Sequence, residues 1–292
     1  VRAILRERAS RYGFLAPALL LTASIALFPI LFTVWLSFRR QMPIFGISEY
    51  VGLSQYRFLL EDSRFWNALG NTAYFLALSV PLELTLGIAF ALLLNRPFPG
   101  RGVCRALVLV PWAVPNVVAA RFWEWIFNAD FGVLNYLLGT RVNWLGDPAW
   151  AIHAAVAADV WKTTPFVVLL VLAALQVIPE DLYRAARVDG ATAWQRFRHI
   201  TLPLLSPVLL LVLLFRTMDA ARIFDLLFVL TGGGPANTTE TLVVYNYKLY
   251  YRTLQFGYGS ALAVATFLFI LALSCGYLWM LRRSWQRTAG AA

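Results

Sequence analysis

Residues 179–203 read PEDLYRAARVDGATAWQRFRHITLP. Long apolar runs flank this polar stretch on both sides, yet it carries strong helical signals of its own. Glu180 and Asp181 follow Pro179, where the positive end of a helix favours carboxylates. Asp189-Gly190 is a turn signal and closes this first short helix. Thr192 and Gln195 have capping-box spacing and open a second. Trp194 and Phe197, three apart, give that second helix an apolar face. The stretch reads as an ordered helical loop held between two membrane crossings, which suits it to docking a partner.

The flanking runs set the fold class. Of 292 residues, 60% are hydrophobic and only 14% charged, whereas soluble domains are roughly 45–50% apolar. A helix needs about 20 apolar residues to cross a bilayer. Six runs qualify: Phe14–Phe38, Ala68–Leu94, Cys104–Phe127, Ala151–Ile178, Leu204–Leu230 and Tyr258–Leu281. The expected fold is therefore all-α, one polytopic transmembrane domain over residues 1–292 with six crossings. The charged start VRAILRERASRYGFLAP resembles the front of a signal peptide. The apolar run behind it is too long for one and lacks a small-residue cleavage site, so it reads as an uncleaved first crossing.

A net charge of +10 could point to nucleic acid, but no basic run is interleaved with exposed aromatics. Arginine in a polytopic protein marks the loops kept in the cytoplasm. The N-terminus, residues 95–105, the 179–203 loop and the tail after Leu281 hold 14 basic residues. The alternate segments hold 7, namely Arg39, Arg40, Arg57, Arg64, Arg141, Lys248 and Arg252. Both termini and the 179–203 loop are thus expected in the cytoplasm. Aromatic clusters at Trp123, Trp125 and Phe127 and at Tyr245, Tyr247, Tyr250 and Tyr251 suit an interfacial belt.

Several chemistries lack their residues. There is no phosphate-binding G-x-x-x-x-G-K-[ST] loop, since Gly232–Gly234 has no lysine after it. Cys104, Cys275, His153 and His199 stand apart, with no metal-ligand spacing. No G-x-S-x-G elbow occurs. The chain is expected to be no enzyme and to hold no cofactor. Any nucleotide that drives it must sit on another subunit.

Charges inside the crossings ask for a reason, because each costs at least ~2.5 kcal/mol to insert. The fourth run holds Asp159 and Lys162 on one helical face, with Phe166 four residues on. Thr163-Thr164-Pro165 would loosen the backbone there. The fifth holds Arg216, Asp219, Arg222 and Asp225 at three-residue spacing. These six charges on adjacent crossings point to a wet, protein-lined cavity, although Asp159–Lys162 and Arg216–Asp219 could also simply neutralise each other. Arg121 and Glu124 form a further spaced pair, which reads as structural. Polar groups beside aromatic faces suit a polyhydroxylated ligand. A proton-coupled transporter using Asp159, Asp219 or Asp225 stays open on this reading. So does a membrane enzyme with Asp219 and Asp225 as acid and base.

Tyr183-Arg-Ala-Ala-Arg-Val-Asp-Gly-Ala191, followed by Ile200-Thr-Leu-Pro203, resembles the EAA loop of ABC importer permeases. Trp161-Lys-Thr-Thr-Pro-Phe166, Phe215-Arg-Thr-Met-Asp219, Phe224-Asp225 and Thr231-Gly-Gly-Gly-Pro235 resemble the carbohydrate-importing branch, its first permease subunit in particular. The resemblance covers nearly the whole chain. It implies a second permease, two cytoplasmic ATPase subunits that hold ATP and Mg, and an extracytoplasmic sugar-binding protein. It also implies that the fourth and fifth crossings hold the sugar, an α-linked disaccharide such as trehalose or maltose, or else a phosphorylated polyol. The candidate substrate-binding residues are Lys162, Thr163, Phe166, Arg216, Asp219 and Ile223. The candidate coupling residues are Tyr183, Arg184, Ala185, Ala186, Asp189, Gly190 and Ala191. One departs from the pattern: the family's glutamate is Arg184 here. A carboxylate at this position could pair with a basic ATPase residue, and Arg184 cannot.

Overall fold

The computed structural model describes residues 2–289, with side chains over residues 15–280. The basic side chains of Arg2, Arg6, Arg8, Arg11, Arg282, Arg283 and Arg287, which weigh in the orientation count, lie outside the described ones. The chain resolves into two compact units, residues 1–63 with 246–267, and residues 64–245 with 268–292.

In the first unit, α1 (Arg2–Ser37) leads into a hairpin of β1 (Arg39–Met42) and β2 (Ile47–Tyr50). The strands are antiparallel, with Arg39 opposite Tyr50 and Met42 opposite Ile47. This hairpin is the one departure from an all-helical expectation among the described residues. The short α2 (Ser54–Glu61) follows. Tyr258 donates to Asp62 Oδ2 at 2.6 Å and meets Phe58 edge-on at 5.0 Å, which ties the later segment of this unit to α2.

The second unit contains the helices that matter for function. α3 (Ser63–Asn95) is followed by α4 (Arg101–Ala113) and α5 (Asn116–Ile126), then the short α6 (Val133–Leu138) and α7 (Ala151–Val177). α8 (Glu180–Val188) and α9 (Ala193–Arg196) make the polar loop. A single wide turn (Phe197–Thr201) joins it to α10 (Leu202–Ala220), and α11 (Asp225–Leu230) comes next. α12 (Leu242–Tyr251) and α13 (Phe256–Ala289) complete the order, each with residues assigned to both units. α3 and α7 come so close that a Cβ at Gly87 would run into the Val167 side chain. Val167, Val168, Val171 and Leu172 of α7 pack there with Ala91 and Leu94 of α3 and Leu205 and Val212 of α10.

Among the described residues, five helices are long and apolar enough to cross a membrane, and a sixth crossing needs a bent pair counted as one. That pair is the third predicted run. Instead of one helix over Cys104–Phe127, it folds as α4 and α5 with a 97° bend. Pro115 explains the break. It has no N–H to continue the ladder, and its ring pushes the preceding residue out of the helical region. Val114 accordingly sits at φ −70°, ψ 131°.

The fifth run also differs from expectation. Its helix ends at Ala220, where the amides of Arg222 and Ile223 turn back onto the carbonyls of Asp219 and Ala220. Arg222 lies in this turn and Asp225 begins α11, so the three-residue charge spacing does not continue along one helix. In the fourth run the predicted loosening is absent. α7 passes through Pro165 unbroken, with Thr163 and Thr164 each donating a hydroxyl to the carbonyl four residues back.

Candidate functional site

α7 sets Asp159, Lys162 and Thr163 on one face, because residues three and four apart in a helix are neighbours. α10 brings Arg216 and Asp219. These residues meet a partner that sequence reasoning missed, Glu83 of α3. Glu83 is 0% exposed and Arg216 3%. Arg216 donates to Glu83 through Nε at 2.5 Å and Nη2 at 2.9 Å. Its Nη2 also reaches Asp159 Oδ2 at 3.4 Å, and its Nη1 reaches Asp219 Oδ2 at 2.6 Å. Thr163 Oγ1 also lies 2.9 Å from Glu83 Oε1. One guanidinium thus joins carboxylates from three helices, which is how buried charge survives away from water.

Lys162 does not form an ion pair with Asp159. Its Nζ donates to Val114 O at 2.7 Å and Trp112 O at 3.5 Å. Those carbonyls lie at the C-terminal end of α4, where the break at Pro115 leaves them without helical partners. Lys162 therefore caps the bend, and its cation complements the negative end of α4.

In front of this network lies a polar cleft of about 330 Å³. Asp159, Lys162, Thr163, Asp219 and Ile223 line it, together with Asn116, Arg222 and Asp225. Asn116 Nδ2 donates to Asp225 Oδ2 at 3.2 Å, fixing the start of α11 against α5. Of the six candidate substrate residues, Lys162, Thr163, Asp219 and Ile223 line the cleft. Arg216 is behind its wall. Phe166 is directed toward Trp112, with ring centroids 6.1 Å apart, and is not part of the lining. A lone carboxylate in the apolar run 68–94 was the available signal for Glu83, by the same insertion cost that marked Asp159.

The 179–203 loop folds as its sequence predicts. Glu180 and Asp181 occupy the first turn of α8. Gly190 has φ +76°, a left-handed value that a side chain disfavours. The Asp189 amide returns to Ala185 O at 3.0 Å and the Ala191 amide to Ala186 O at 2.9 Å, closing the helix end. Thr192 and Gln195 make both bonds of a capping box. Tyr183 Oη lies 3.0 Å from Thr201 Oγ1, which binds α8 to the entry of α10. Arg184 pairs within its own helix, with Glu180 at 3.2 Å and Asp181 at 3.7 Å. Leu182, Val188 and Trp194 are exposed, an apolar surface on an otherwise charged loop.

A bundle of long apolar helices, a polar cleft with buried charge behind it and an ordered polar loop define a membrane transport subunit. The model of the family described as binding-protein-dependent transport system inner membrane component matches residues 83–286, and the chain belongs to that family. It is 45% identical over 282 residues to the trehalose/maltose transport system permease protein MalF of Thermococcus litoralis, covering 94% of this chain and 95% of that one. It is 38% identical to the sulfoquinovosyl glycerol permease SmoG of Agrobacterium fabrum, over 92% of this chain and 89% of the relative. With the trehalose permease SugA of Mycobacterium tuberculosis it shares 39% identity, over 89% and 85%. The same fold occurs in the crystal structure of a bacterial ABC transporter that imports alginate, with a TM-score of 0.84, 23% identity and 96% and 98% of the two chains covered. The protein is thus a multi-pass inner-membrane permease of a binding-protein-dependent ABC importer. It is not an enzyme, and it acts in a complex with an ATPase and a binding protein.

Proposed function

We propose that the chain is the first of two permeases in a carbohydrate importer and that its cargo is an α-linked disaccharide of the trehalose or maltose type. The observation that carries this reading is the 45% identity to a trehalose/maltose permease across 94% of the chain. The cleft chemistry supports it: Thr163, Asn116 and carboxylates offer the mixed donors and acceptors that sugar hydroxyls need.

On this reading residues 1–292 act as a single permease domain, and a second permease completes the path. Two ATPase subunits hold ATP and Mg, and an extracytoplasmic sugar-binding protein delivers the cargo. Both termini and the 179–203 loop lie in the cytoplasm, in keeping with the arginine excess of those segments. The loop seats on an ATPase through Tyr183, Ala185, Ala186, Asp189, Gly190 and Ala191, while its exposed Leu182, Val188 and Trp194 supply apolar contact. ATPase closure then moves α8 and α9. Through the Tyr183–Thr201 contact it tilts α10, which bears Arg216 and Asp219. Arg184, held by Glu180 and Asp181, needs no carboxylate on the ATPase.

Uptake by the complete reconstituted transporter, against a panel of labelled sugars with and without ATP, tests the reading. ATP-dependent accumulation of a neutral disaccharide is expected. Uptake of no sugar in the panel would overturn it.

A further inference from the structure

The first unit holds a polar cavity of its own. It has a volume of about 450 Å³ and is lined by residues of β1, α2 and the segment entering α13, none of them shared with the cleft. Hydrogen bonds fix its walls. Gln55 Nε2 donates to Arg39 O at 3.3 Å, and Tyr258 Oη to Asp62 Oδ2 at 2.6 Å. β1 sits so close to the start of α13 that a Cβ at Gly257 would run into Arg39 O. Within this frame two amides are free. Gln41 and Gln255 are half-buried in the lining, and their side chains make no hydrogen bond among the described residues. Phe58 adds an aromatic ring that is 56% exposed and braced edge-on against Tyr258 at 5.0 Å. The one charged residue in the lining, Arg40, stands opposite Glu49 across the hairpin.

We propose that this cavity is a second saccharide site, which binds a neutral sugar weakly on the extracytoplasmic side. The inference rests on the carbohydrate reading and the orientation given above. A sugar hydroxyl both donates and accepts, and each glutamine amide presents a donor and an acceptor side by side. Phe58 offers an aromatic face for the apolar C–H groups of the sugar ring. The other ligand classes fit less well. A hard cation needs carboxylates, and the lining has none. A phosphate or sulfonate would find a single guanidinium that faces Glu49 across the strands. An acyl chain would strip water from Gln41 and Gln255 and give no hydrogen bond in return. The volume lies in the range of small-molecule sites, roughly 300–1,000 Å³. With only two free amides the hold is loose, as suits a site that must pass its ligand on. Gln41 and Gln255 are the residues that determine what is held.

Thiol protection tests this on the permease–ATPase complex in nanodiscs, before any binding protein is added. The chain carries Cys104→Ser and Cys275→Ser, with Ser54→Cys as a reporter in the cavity lining. For a site of about 1 mM affinity, roughly 10 mM trehalose is expected to slow maleimide labelling of the reporter about tenfold. Adding Gln41→Ala and Gln255→Ala should weaken the site about tenfold and leave only about twofold slowing. These two side chains hold no hydrogen bond in the fold, so their loss leaves the fold intact. If the reporter chain fails to fold, saturation-transfer NMR of trehalose makes the same comparison on the complex with its native cysteines. No protection by trehalose, equal protection with and without the two glutamines, or protection only by added sugar-free binding protein overturns the site. ATP-dependent uptake of trehalose by the complete transporter then leaves the carbohydrate reading standing. Absence of both protection and uptake across the sugar panel overturns that reading and the site with it.

Discussion

The junction of α3, α7 and α10 and the loop of α8 and α9 both depend on charged residues, and they handle them in opposite ways. At the junction, Glu83, Asp159 and Arg216 are all buried, and each pair spans two helices. In the loop, Arg184 pairs with Glu180 and Asp181 three and four residues away on one helix, and all three are exposed. A buried ion pair is costly to break because a charge is left without water or partner. An exposed pair within a helix is worth little, because water replaces either partner. The junction can therefore hold helices in fixed registry, while the loop's pairs stay in water and are cheap to exchange.

Arg216→Ala gives the sharpest way to break the comparison. It strands Glu83 and Asp159 in the membrane interior and is expected to destabilise the subunit by about 3–5 kcal/mol. Thermal unfolding of the purified complex would show it as a large drop in Tm. A next, smaller effect is expected from Gly87→Val. The new side chain has no room against Val167, and overpacking of this kind costs roughly 1–3 kcal/mol. The same unfolding measurement checks it. Arg184→Ala should have the smallest effect, within about 1 kcal/mol, since only exposed pairs are lost. A Tm change as large as that of Arg216→Ala would abolish the contrast between the two regions.

The same contrast governs what the sequence made legible. The loop was readable almost residue by residue, because its signals are local. Thr192 and Gln195 are three apart and cap, Gly190 turns the chain, and Asp189 precedes it. The junction was readable in part. Asp159, Lys162, Arg216 and Asp219 stood out as charges in apolar runs, and four of the six nominated residues do line the cleft. Their pairing was not readable. Arg216 and Glu83 lie 133 residues apart, and spacing along one helix gives no information on which helices meet. Lys162 looked like a partner for Asp159, yet it caps a helix end created by Pro115 on another segment. The spacing Pro111-x-x-x-Pro115 held that break in plain view, but mean apolarity alone made the run look continuous. Phe166 shares the face of Lys162 in a helical projection, and packing against Trp112 takes it out of the cleft.

The central claim is that the loop transmits ATPase motion to the cleft. Gly190→Pro tests it most directly. Gly190 holds φ +76°, and proline is fixed near −65°, so the turn between α8 and α9 cannot form while the long apolar helices are untouched. ATP-driven uptake of labelled trehalose into proteoliposomes containing the complete complex is the measurement, with membrane insertion checked in parallel. Normal insertion with uptake reduced to the level seen without ATP is the predicted result. Uptake equal to that of the unaltered complex, or uptake by either protein that needs no ATP and follows a proton gradient, would contradict it.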